Sequence, residues 1–224
     1  MVALDEQLRD RVALGILRAA RVQVQADAPA LEAALAALAA RYRARYAGRS
    51  PGEIAELQPA RELYRRTGED PTKLRPSSEA LLRRVLRGEP LPRINALVDT
   101  CNLCSLEFLL PIGLYDADRI VGAVTVRLGR PGEGYASLGK GHYTVAGRLA
   151  LFDAEGPFGS PTNDSRRTAI TPQTTRSLMV IFAPARYPGE RLARHVAAAA
   201  EHLRAFVAAE GIETALLGGD GRGG

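Results

Sequence analysis

The feature that most constrains this chain is a change of hydrophobic period near its middle. Up to about Gly88 the apolar residues recur at helical spacing, and from Ile120 they fall into short runs broken by Gly, Pro, Asn and Asp. Leu31, Leu35, Leu38, Tyr42 and Tyr46 follow the start signals Asp27 and Pro29, which predicts a helix over 28–47. A short helix over 59–66, turn chemistry over 67–71 and a helix over 78–87 capped by Ser77 come next. Arg21-Val-Gln-Val-Gln alternates and reads as the single strand of this part. The runs 122–127, 134–138, 148–152 and 177–182 predict a mixed β-sheet. A helix over 190–210, with Leu192, Val196, Ala199, Leu203 and Phe206 on one face, closes the pattern. The expectation is an α+β fold: an N-terminal helical extension (1–75), a sheet-containing domain (76–187), a C-terminal helix packed on it (188–217) and a flexible Gly-rich tail (218–224).

Composition narrows the function classes. With 46% hydrophobic and 25% charged residues, and no apolar run near the ~20 residues that a spanning helix needs, the chain reads as an ordinary globular protein. Its charged first residues lack a secretory apolar core, so a cytoplasmic location is expected. Thirty basic against 25 acidic residues give a net charge of +5, and Lys73 and Lys140 are the only lysines. Arginine's planar fork suits phosphate and carboxylate, although genome composition gives the same bias. The two cysteines, Cys101 and Cys104, offer neither a disulfide framework nor a four-thiolate metal site. They sit inside an apolar run, which favours core packing over redox chemistry. Phosphate-loop, His-Glu-x-x-His and Gly-x-Ser-x-Gly motifs are missing, and there are only three histidines (His142, His195 and His202). No metal or cofactor is therefore expected.

Polar residues mark the candidate site. A helix over 94–108 carries Asn95, Asp99 and Asn102 at i, i+4 and i+7, extended by Ser105, as one polar stripe on an otherwise apolar helix. Such a stripe should border a pocket. The turn-rich segment 153–168 combines Gly156 and Gly159, which permit close backbone approach, with the donors and acceptors Thr162, Asp164, Ser165, Arg167 and Thr168. A ligand rim and a self-capped surface loop are both open readings. His142, in Gly139-Lys-Gly-His-Tyr143, is placed to meet a ligand or solvent. Arg65, Arg66, Arg83, Arg84 and Arg87, with Arg41, Arg43 and Arg45, are the candidates for phosphate contact, or else solvated helix faces.

The run Arg93-Ile-Asn-Ala-Leu-Val-Asp-Thr-Cys-Asn-Leu-Cys-Ser-Leu-Glu, followed by Leu110-Pro-Ile-Gly-Leu-Tyr-Asp-Ala-Asp-Arg-Ile, resembles the segment opening the B3/B4 editing domain of the phenylalanyl-tRNA synthetase β-subunit. The likeness continues to about residue 183, and the chain is most similar to freestanding B3/B4 proteins. The resemblance implies a trans-editing hydrolase that deacylates misacylated tRNA by cleaving the ester to the terminal ribose. Its partners would be the aminoacylated 3′ end of tRNA and the amino-acid moiety. A non-catalytic module binding RNA or an amino acid is the alternative, and a hydrolase unrelated to tRNA a more distant one. The resemblance places Asn102 at a pocket asparagine and Cys101 where a threonine is usual. Asn102, Thr162, Asp164, Ser165 and Thr168 are the expected catalytic set, and Asn95, Asp99, Gly113, Gly156, Gly159, Arg167 and His142 the expected substrate-binding set. Two positions depart from the family: Gly113 stands for a histidine, and Ile181 lies where a glutamate reads the tyrosine hydroxyl.

Overall fold

The computed structural model describes residues 1–139 and 141–219. In chain order the elements are β1 (Val2–Leu4), β2 (Val12–Arg21), α1 (Pro29–Arg45), α2 (Gln58–Arg66), α3 (Ser77–Leu86), α4 (Ala96–Phe108), β3 (Ile112–Asp116), β4 (Val124–Leu128), β5 (Gly134–Ala136), β6 (His142–Thr144), β7 (Leu149–Asp153), β8 (Gly156–Gly159), β9 (Ser177–Pro184), α5 (Gly189–Val207) and β10 (Glu210–Gly218). The fold is α+β, built as two four-stranded sheets and a helical layer. One sheet has the order β10-β2-β9-β3 and is antiparallel throughout. The other, β1-β4-β7-β8, has one parallel pair, β1 with β4, and a small hairpin pairs β5 with β6.

Strand alternation divides the core in two. Ala13, Leu17 and Ala19 of β2, Met179, Ile181 and Ala183 of β9, and Ile112 and Leu114 of β3 face the helices. Their neighbours Leu14, Ile16, Leu178, Val180, Phe182 and Tyr115 face the second sheet, against Val124, Val126, Leu149, Leu151 and Phe158. Strands covered on both faces carry continuous apolar runs, and all eight residues of β9 are buried. Each fully buried large apolar side chain contributes roughly 1.5–3 kcal/mol. Helix α5 lies close on β2 at Gly15, where a Cβ would come within 2.5 Å of Val196 Cγ2.

The N-terminal segment departs from the helical extension expected for 1–75. Val12–Arg21 is the longest strand and lies inside a sheet, between β9 and β10. Its apolar run has neither helical nor alternating period because both faces are covered. Of the strand expected at 21–25, only Arg21 belongs to β2. Helix α3 starts at Ser77 itself, with Pro76 in the cap position and no side-chain cap. Helix α5 ends at Val207, where Ala208 takes a left-handed φ of 47°, and 210–217 form strand rather than helix. Gly218 ends β10, and the rest of the expected tail, from residue 220, lies outside the described residues. Among the described residues no helix is long and apolar enough to cross a membrane.

Candidate functional site

Helix α4 ends at Leu109, which adopts a left-handed φ of 55°, and Ser105 Oγ donates to the Leu110 carbonyl at 2.8 Å. This tight reversal lays α4 across the helix-facing side of the edge strand β3. Between them and the segment 164–170 lies a cavity of about 270 Å³. Val98, Cys101, Asn102 and Ser105, one face of α4, form one wall, and Ile112 and Leu114 form another. Ile94, Leu138 and Ile170 complete an apolar lining, into which Ser77 and Asp164 bring polar atoms. A largely apolar cavity with a few convergent polar groups is the usual form of a small-molecule site.

The polar atoms around this cavity are short of partners. Asp164 Oδ1 and Ser77 Oγ are cut off from solvent and lack a well-formed hydrogen bond among the described residues; the Tyr115 hydroxyl, reaching from the opposite face of β3, is equally buried and lies close enough to Asp164 for the two to interact. The Asn102 side chain, which is only partly buried, lines the same cavity. Buried polar groups are nearly always satisfied, so a cluster of exceptions calls for an explanation. Burial pushes the Asp164 carboxyl up to about 7, against a smaller opposing pull from the nearby Tyr115 hydroxyl. Tyr115 is fully buried, edge-on to Phe158 at 5.1 Å between centroids, and burial raises its phenol well above the usual range. Two glycines make room for it. A Cβ on Gly113 would come within 2.1 Å of the Tyr115 hydroxyl, and one on Gly159 within 2.2 Å of its ring. Burial, with the charge of Asp164 adding to it, raises the Cys101 thiol far above neutrality. Cys101 is therefore a neutral lining group and not a thiolate nucleophile.

Of the residues expected from sequence, the structure brings Asn102 and Asp164 together in one cavity and places the others elsewhere. Asn95 is the N-cap of α4, accepting the Val98 N–H at 3.0 Å. Asp99 accepts the Ile94 N–H at 3.1 Å, so only the C-terminal half of the polar stripe reaches the cavity. The segment 153–168 is no open loop. It holds a β7–β8 hairpin, with Gly156 at its turn, and a bridge pairing Gly159 with Asp164. Thr162 Oγ1 donates to Glu69 Oε1 at 3.2 Å on the far side of that segment. The Ser165 and Thr168 hydroxyls lie 3.3 Å apart, and Thr168 donates to the Phe158 carbonyl. Arg167 clamps Asp153 with two bonds of 2.8 Å, so it is a fold-holding residue rather than a free phosphate ligand. His142 is exposed on β6. Of the arginines, Arg66 pairs with Glu62 (2.7 Å) and Arg87 with Glu89 (2.6 Å); Arg84 reaches the Pro90 carbonyl and Glu89, Arg83 meets Glu79 at 3.0 Å, and Arg65 is exposed.

Sequence reasoning missed Ser77, which was read as a helix cap, and Tyr115. It read Gly113 as a lost histidine within the substrate-binding set, whereas the glycine is what seats the Tyr115 hydroxyl. Ile181, where the family glutamate was expected, is a core residue paired across the ladder with Ile112.

Comparison with known proteins places these features. The N-terminal fragment of the phenylalanyl-tRNA synthetase β-subunit from Pyrococcus horikoshii is 14% identical, with a TM-score of 0.45, over 91% of this chain and 48% of that one. The chain thus spans about half the length of that fragment. No curated protein matches it. The B3/4 domain family matches residues 59–202, a span that runs from α2 into α5 and contains the whole cavity. The chain belongs to the B3/4 domain family.

Proposed function

We propose that this protein deacylates aminoacyl-tRNA, hydrolysing the ester between an amino acid and the terminal ribose. The observation that carries the reading is the convergence of Asp164, Asn102 and Ser77 on an otherwise apolar cavity, the first and last with a buried oxygen that lacks a well-formed hydrogen bond. An amino acid offers complementary parts: an ammonium for the carboxylate, an apolar side chain for the Ile and Leu wall, and an ester carbonyl for an amide donor. The ester is already activated, so positioning a water and stabilising the oxyanion suffice. Asp164 takes the substrate ammonium, whose charge draws its carboxyl to the ionised form. The Asn102 amide donates to the developing oxyanion. Water adds to the carbonyl carbon, the bond to the ribose oxygen breaks, and that oxygen takes up a proton to leave free amino acid and a tRNA hydroxyl. The trans-acting role and the tRNA partner are part of the proposal, and the B3/4 membership supports them.

The test is release of amino acid from a panel of aminoacylated tRNAs, measured above spontaneous hydrolysis. The wild type should accelerate release from at least one. Asn102→Ala and Asp164→Asn should each slow it roughly 10-fold to 1000-fold, the range for one positioned polar group. Because burial pushes the Asp164 carboxyl up to about 7, kcat/KM should rise with pH through that value, and Asp164→Asn should flatten the rise. An ester protected by the protein would instead identify a binding module, and wild-type rates in both variants would remove this cavity from the reaction.

A further inference from the structure

A second feature lies on the other side of the first turn of α3. Arg61 and Arg65, one turn apart on α2, face Arg75 and Arg83 across a cleft of about 180 Å³. At its base the Glu79 side chain, 2% exposed, takes Arg61 at 2.8 Å, Arg83 at 3.0 Å and Arg75 at 3.7 Å. Arg65 is exposed and has no carboxylate within 4 Å among the described residues. Four guanidinium groups thus line a cleft that holds one carboxylate, an excess of three positive charges. Of the acids close by in sequence, Glu62 pairs with Arg66, and Asp70 accepts both the N–H and the hydroxyl of Thr72 on one oxygen.

This arrangement differs from the other arginines of the region. Arg66 and Arg87 are matched with Glu62 and Glu89, so their charge is largely answered within the fold. In the cleft, Glu79 is spent holding three forks in place, and fixed guanidinium forks suit phosphate oxygens. The uncapped N-terminus of α3 adds its partial positive charge. Ser77, whose buried Oγ lacks a partner, opens from that same turn into the cavity.

From this juxtaposition we infer that the Arg61–Arg65–Arg75–Arg83 cleft binds backbone phosphates of the RNA strand whose aminoacylated end enters the cavity. The inference rests on the deacylase reading for the identity of the RNA, but its readout is binding alone. Uncharged tRNA and an acceptor-stem minihelix are titrated by fluorescence anisotropy at several salt concentrations, with ATP and inorganic pyrophosphate as separate competitors. Arg65→Glu with Arg75→Glu, both at exposed positions, should weaken RNA at least 10-fold and flatten the salt dependence by one to two released counterions, roughly 0.7–0.9 in log–log slope for each. Arg66→Ala and Arg87→Ala should leave both quantities near wild type. Arg65→Ala carries the test alone if the Arg75 substitution disturbs folding. Wild-type affinity and slope in the Arg65 variants, or displacement of RNA by micromolar ATP that itself binds tightly, would overturn the inference; the latter would make the cleft a nucleotide site. RNA binding that depends on these arginines, with no ester hydrolysed, would leave the cleft standing and remove the deacylase.

Discussion

Asp153 and Asp164 sit near the two ends of one short segment, and the contrast between them separates a structural acid from a functional candidate. The Asp153 side chain has no exposed surface. It accepts two bonds from Arg167, one from the Val121 N–H and one from the Glu155 N–H, and these partners draw its carboxyl below the usual range against its burial. Asp164 Oδ1 is equally hidden, has only the Tyr115 hydroxyl nearby and no well-formed hydrogen bond, and burial pushes its carboxyl up to about 7. Both residues are polar and sit among Gly and Pro, so composition ranks them alike. What differs is whether the protein itself completes the hydrogen bonding, and only Asp164 leaves that to a ligand.

Substitution can break this contrast. Asp153→Ala should have the largest effect, a loss of about 3–5 kcal/mol in chemical denaturation, because Arg167 is left beside an emptied buried site. Deacylation per folded molecule should persist, and a selective loss of activity without loss of stability would erase the distinction. Asp164→Asn should move stability the other way. The folded carboxyl holds its proton up to about pH 7 while the unfolded one releases it near 4. Wild-type stability is therefore reduced as pH rises through that window, and the variant should gain a few kcal/mol at pH 8 that fades toward pH 4. Equal stability at both pH values would show that Asp164 is satisfied after all. A smaller effect, about 1–3 kcal/mol of destabilisation, is expected for Gly113→Ala, whose Cβ collides with the Tyr115 hydroxyl. Tyr115→Phe should relieve part of it, and additive losses in that double-mutant cycle would refute the coupling.

The same contrast explains what could be read in advance. Periodicity found α1 to α5 because each has an apolar stripe, and it found β4, β7 and β9 between turn residues. It failed at β2, whose run from Val12 to Leu17 is buried on both faces, and at β10, an edge strand whose residues are mostly exposed. Neither presents the half-buried alternation by which a strand shows itself. In the site, Asn102 and Asp164 were legible as polar groups in unusual settings, but that Asp164 lacks a well-formed hydrogen bond was not. Satisfaction depends on elements distant in sequence: Thr162 is taken up by Glu69, and Ser77 reaches the cavity wall from α3. Only the fold decides which of the donors in 153–168 are already occupied.

The placement of β2 has a consequence in time as well as in space. This strand is a central member of its sheet, yet both of its partners, β9 and β10, come from beyond residue 176. At ~5–20 residues per second on a ribosome, the ~155 residues between Arg21 and Ser177 take roughly 8–30 s to synthesise. Through that interval a ten-residue strand with an apolar first half waits with both edges unpaired. Unpaired strand edges of this kind are where growing chains aggregate, so the order of synthesis leaves β2 exposed to that hazard until β9 emerges.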